Sequence, residues 1–171
     1  LNFDYKNIVK PHQTHTDKIE IVNSPNEEFD EVDGLITNKK NIFLCTTSAD
    51  CISLLFYDPS KKVIADVHSG WRGTLKQIGR KAVEKMISVY SSNPRDIICC
   101  IGPCIKKCHF EVDIDVMQAF YDNFKYTGKS NEIIAKGRKI GNVQKFNVDT
   151  TLINKIILEE AGLRKENIID S

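Results

Sequence analysis

Residues 52–90 read ISLLFYDPSKKVIADVHSGWRGTLKQIGRKAVEKMISVY. Residues 52–57 (ISLLFY) and 63–68 (VIADVH) are short apolar runs with β-branched residues, the pattern of buried strands. Asp58-Pro59-Ser60 between them is a turn signal. The glycines at 70 and 73 break the strand pattern, and a helix follows. From Leu75 the apolar positions 75, 78, 82, 83, 86, 87 and 90 recur near helical spacing, and SSNPR at 91–95 ends the run. Two strands and a helix in this order set the class: α/β.

The flanks extend that reading. Residues 42–47 (IFLCTT) and 97–101 (IICCI) also read as strands, the second stopped by Gly102-Pro103. Residues 113–126 predict a helix with Val116, Phe120 and Phe124 on one face. Residues 129–145 are polar and glycine-containing, so a loop is expected there. Residues 148–162 predict the last helix, with Asp149 or Thr150 as N-cap and Gly162 at its end. The expectation is a single layered domain over 1–171, with a mixed β-sheet and flanking helices.

The chain has 171 residues and a net charge of +1, from 24 Lys and Arg against 23 Asp and Glu. That balance offers no global field to hold nucleic acid or an anionic membrane. No apolar run is long enough to span a bilayer. Residues 1–10 (LNFDYKNIVK) carry no apolar leader segment. Six cysteines, four of them within 99–108, are not spread as a disulfide scaffold would spread them. A cytoplasmic, monomeric protein with reduced thiols is expected.

Only four histidines are present, at 12, 15, 68 and 109. His15, Cys51 and His68 each fall where a strand or turn begins or ends, where site residues gather. Two imidazoles and a thiolate suit zinc, and three protein ligands leave a fourth position open, as in catalytic sites. A buried cysteine with two histidines bonded to backbone is the competing reading. In GWRG at 70–73, two glycines flank Trp71 and Arg72. They permit tight turns, and Arg72 can offer its guanidinium fork to phosphate or carboxylate. Cys104, Cys108 and His109 form a second group, but CxxxC is a poor zinc spacing. Glu111 is a candidate proton carrier.

Five segments carry a resemblance: QTH at 13–15, DGLIT at 33–37, TSADC at 47–51, VHSGWRGT at 67–74 and IGPCI at 101–105. In this order they resemble the multicopper polyphenol oxidase, or laccase-domain, family, regarded as purine nucleoside phosphorylases and also called peptidoglycan editing factors. The likeness runs from about Gln13 to Ser171. It implies that His15, Cys51 and His68 bind zinc together, with copper the second choice. It implies a mixed-sheet α/β fold with a remote likeness to a toxin deamidase. The implied activities are phosphorolysis of adenosine, inosine and methylthioadenosine, and hydrolytic deamination of adenosine. Family members carry further segments before and after the region matched, so these are expected to be missing here.

The two activities ask for different residues. Deamination needs an activated water and a carboxylate to move protons, for which Glu111 and Asp50 are candidates. Phosphorolysis needs a held phosphate, for which Arg72 is the candidate. A metal-free cysteine hydrolase, with Cys51 as nucleophile and His68 or His15 as base, is the alternative. A polyphenol oxidase would need several histidine-rich copper sites, which four histidines do not supply.

Overall fold

The computed structural model describes residues 4–171; residues 1–3 of the N-terminal stretch read above lie outside the described residues. In chain order the strands and helices are β1 (Ile8–Val9), β2 (Ile19–Ile21), β3 (Gly34–Thr37), β4 (Phe43–Leu44), β5 (Ile52–Asp58), β6 (Val63–Ser69), α1 (Trp71–Leu75), α2 (Ile78–Tyr90) and β7 (Ile98–Ile101). There follow β8 (Glu111–Val112), α3 (Ile114–Phe124), α4 (Ser130–Ile133), β9 (Ile134–Ile140), β10 (Val143–Val148), α5 (Thr150–Glu160) and β11 (Ile168–Asp170).

The main sheet has six strands in the order β11-β7-β5-β6-β3-β2. Its two outer pairs are parallel and the inner pairs antiparallel, so the sheet is mixed. The expected α/β class with flanking helices is what the chain forms. Along β5, Ile52, Leu54 and Phe56 are buried while Leu55 and Tyr57 are exposed, the alternation of a strand with one covered face. The inward residues meet Ile78, Ala82, Val83 and Met86 of α2 and Leu158 of α5. A second core cluster joins Phe120 and Phe124 of α3 to Ile153, Ile156 and Ile157 on α5, with Val112 and Val148 from a three-stranded sheet β8-β10-β9. Helix α5 therefore holds both cores.

Four expectations are corrected. Residues 129–145 are not a loop: they form α4 and most of a hairpin, β9 with β10, turned at residues 141–142 with Gly141 at φ 58°. Strand β9 has no fully buried residue, so its lysines and arginine hid the alternation. The helix expected from Leu75 is two helices, because Gln77 adopts the left-handed conformation at φ 56°. Of residues 42–47 only Phe43–Leu44 pair as a strand, and they pair in parallel with β1 rather than in the main sheet. Helix α5 starts two residues later than expected, and Asp149 is its cap, its carboxylate accepting from the Leu152 N–H at 2.8 Å.

Candidate metal and active site

Hairpin register brings the first two site residues together. Ile52 pairs with Ser69 and Ser53 with His68, so Cys51 leaves β5 beside Gly70. Strand β3 lies on the other side of β6, with Gly34 opposite Val67, which sets Asp33 against His68. The third residue, His15, arrives on the loop before β2 in the left-handed conformation, φ 60°. That conformation is uncommon for a residue with a Cβ, so it must be held by its surroundings.

Asp33 does the holding. Its carboxylate accepts from the backbone N–H groups of Thr14, His15 and Thr16 at 3.3, 3.1 and 2.6 Å, and from the Thr16 hydroxyl at 2.8 Å. It also accepts from His68 Nδ1 at 2.8 Å. Burial would push this carboxyl up, but the bonds from His68 and Thr16 outweigh it and hold Asp33 below the usual carboxylate value. A second clamp lies outside. The Gln13 amide accepts from Thr47 N–H at 2.7 Å and donates to the Thr47 carbonyl at 3.0 Å, tying the His15 loop to the Cys51 loop.

The ligating atoms of His15, Cys51 and His68 all lie within 4.8 Å of one another. The imidazole rings meet edge to face with centroids 5.0 Å apart. A Cβ on Gly70 would stand 2.9 Å from His15 Cδ2 and 3.3 Å from Cys51 Sγ, so the missing side chain is what leaves room for the three. Gly70 itself has φ −65°, so it is needed for close approach rather than for a turn. Gly73 acts similarly: a Cβ there would lie 3.2 Å from the Thr16 carbonyl. The donor set, two nitrogens and one sulfur around a cleared centre, fits a zinc ion with an open position. Burial pushes the Cys51 thiol up, and the charges of Asp50 and Asp33 add to that. A free cysteine nucleophile needs the opposite shift, whereas a metal displaces the proton outright.

Beside Cys51 is a cavity of about 100 Å³ lined by Asp50, Ile52, Trp71, Ile105, Phe110 and Thr150, among others. Its aromatic and aliphatic walls suit a flat ring. Ile105 is fixed in its wall by its N–H donating to the Asp50 carbonyl at 2.9 Å. Arg72 stands exposed on the first turn of α1, its guanidinium 4.2 Å from the Trp71 ring centroid. The turn carrying both is anchored by a buried network: Ser69 to Thr74 at 3.0 Å, and both to Asn154 of α5.

Not every sequence candidate joins this centre. Glu111 of β8 lines a separate cavity with Cys108, His109, Arg138 and Asn147, and is paired with Arg138 Nε at 2.9 and 3.1 Å. Cys104 faces Thr151 at 3.5 Å, and Cys108 faces His109 Nδ1 at 3.0 Å. Among the described residues only His15, Cys51 and His68 converge as a metal-ligating group. Asp33, Gln13 and Asn154 were not found by sequence reasoning. Asp33 stood inside the quoted DGLIT segment, but a carboxylate before a strand gives no local sign of what it will face.

The family model described as "multi-copper polyphenol oxidoreductase laccase" matches residues 1–171. The chain belongs to that family. Within the laccase family, it is 34% identical over 177 residues to a protein of Bacillus subtilis named purine nucleoside phosphorylase YlmD, covering 98% of this chain and 61% of that protein. It is 29% identical to adenosine deaminase RL5, from an unknown prokaryotic organism, covering 100% of this chain and 66% of that one. A solved YlmD from Geobacillus stearothermophilus superposes with a TM-score of 0.85 at 26% identity, covering 99% of this chain and 64% of that chain. The chain thus spans about three-fifths of the length of such relatives. No described helix is long and apolar enough to cross a membrane.

Proposed function

We propose that this domain carries out phosphorolysis of purine nucleosides (adenosine, inosine and methylthioadenosine), with hydrolytic deamination of adenosine at the same centre. The observation that carries the reading is the convergence of His15, Cys51 and His68 beside an aromatic-walled cavity. The names of the relatives supply the reaction class. Zinc is the preferred occupant, held by those three residues, because a mixed imidazole and thiolate set suits it. Bound there, it supplies Lewis-acid polarisation at its open position.

The chain's own residues supply the rest. Trp71 and Phe110 give faces on which a purine stacks. Arg72, exposed and 4.2 Å from the Trp71 ring centroid, takes the phosphate. Asp50, in the cavity wall next to Cys51, is better placed than Glu111 to move a proton, since Glu111 is committed to Arg138. Cys51 serves as a ligand and not as a nucleophile. Six unpaired thiols accord with a reducing cytoplasm.

The test is turnover of adenosine and inosine with and without phosphate, following free base and ammonia. Base release that requires phosphate is the expected result, with slower phosphate-independent ammonia release from adenosine. No turnover of any purine nucleoside by metal-loaded protein would overturn the reading.

A further inference from the structure

We infer that Asp33 is a positioning residue for the metal centre, fixing in one carboxylate both the tautomer of His68 and the backbone of His15. This rests on the metal-site reading above. Asp33 is fully buried and His68 is 4% exposed, so no water competes for their contact.

A carboxylate can only accept, so the 2.8 Å contact requires the proton on His68 Nδ1. Nε2 is then left with a free lone pair, the state in which an imidazole binds a metal. The same oxygen, Oδ1, accepts from the His15 N–H at 3.1 Å. The other oxygen, Oδ2, accepts from Thr14 N–H, Thr16 N–H and the Thr16 hydroxyl at 3.3, 2.6 and 2.8 Å. These bonds hold the loop in which His15 sits at φ 60°. One group thus sets the orientation of two of the three ligands, although it touches neither Cys51 nor the cavity.

Asparagine in this place makes a sharp test. Three donors at Oδ2 keep the amide oxygen on the Thr16 side. The amide NH2 then replaces Oδ1 and points its hydrogens at the His15 N–H and at His68 Nδ1. His68 can meet it only by accepting on Nδ1, which moves the ring proton to Nε2 and blocks the ligating lone pair. Loss of such an outer partner weakens metal binding by about 10–100-fold. Thr16→Ala removes one bond to the same carboxylate and leaves His68 untouched.

The experiment has two arms. Cobalt(II) titration of wild type, Asp33→Asn and Thr16→Ala, read by the thiolate charge-transfer and ligand-field bands, should show about 10–100-fold weaker binding and altered bands in Asp33→Asn, and a smaller loss in Thr16→Ala, which gives up one of the bonds at Oδ2. Wild-type affinity and an unchanged spectrum in a folded Asp33→Asn would overturn the positioning role. Equal weakening in Thr16→Ala would overturn it too, reducing Asp33 to a structural bond. Wild type that takes up no cobalt would instead overturn the ligand set itself. The second arm needs no variant: long-range ¹H–¹⁵N NMR of wild type reads the His68 tautomer. A proton on Nδ1 is expected, and a proton on Nε2 in the metal-free protein would overturn the inference.

Discussion

Two groups of the same residue types behave oppositely. Cys104, Cys108 and His109 lie within six positions of sequence, yet their side chains turn to different partners, Cys104 to Thr151 and Cys108 to His109. His15, Cys51 and His68 are spread over more than fifty positions and meet within 4.8 Å. The difference lies in what surrounds them. The second group has a buried carboxylate orienting one ring and one loop, a glycine that clears the centre, and a glutamine that joins two loops. Among the described residues, no buried carboxylate bonds to any member of the first group, and Cys108 and His109 are both exposed. Nearness in sequence does not make a metal site; a preorganised frame does.

The largest break in this contrast is His68→Ala. It removes a ligand and leaves the buried Asp33 without its ring partner, so zinc affinity should fall by more than the roughly 100-fold that an outer partner is worth. Competition with a metal indicator measures it. Gly70→Ala comes next. Its Cβ would stand 2.9 Å from His15, so the protein should lose about 1–3 kcal/mol in denaturant unfolding, with weakened metal binding. Gln13→Ala should do less: two loops lose their tie, and metal release in stopped flow should quicken by about two- to tenfold, the equivalent of one net hydrogen bond. The smallest effect belongs to the other group. Cys108→Ser should leave zinc content unchanged and stability within about 0.5 kcal/mol, as exposed substitutions usually do. A drop in zinc content there would erase the contrast.

Much of the frame was readable in the sequence, and the reasons are local. The 52–57 and 63–68 strands alternate or run apolar around an Asp-Pro turn, and the helix after them repeats at helical spacing, so the central hairpin and α2 declared themselves. The three side chains that converge were readable as candidates because imidazole and thiolate chemistry travels with the residue type. What was hidden depended on contacts across the sheet. β9 and β10 pair with each other and bury little on one face, so no apolar alternation marked them. The break at Gln77 is a single left-handed residue between α1 and α2, which helical periodicity does not register. Asp33 acquires its role from strand order, since β3 must lie beside β6 before its carboxylate can reach His68.

The most direct test of the central claim is X-ray absorption at the zinc edge on the purified, zinc-loaded domain, in wild type and Cys51→Ser. The account predicts a shell of imidazole nitrogens with one sulfur, and loss of that sulfur in the variant. A zinc site with no sulfur in the wild type, or an unchanged sulfur signal in Cys51→Ser, would contradict it.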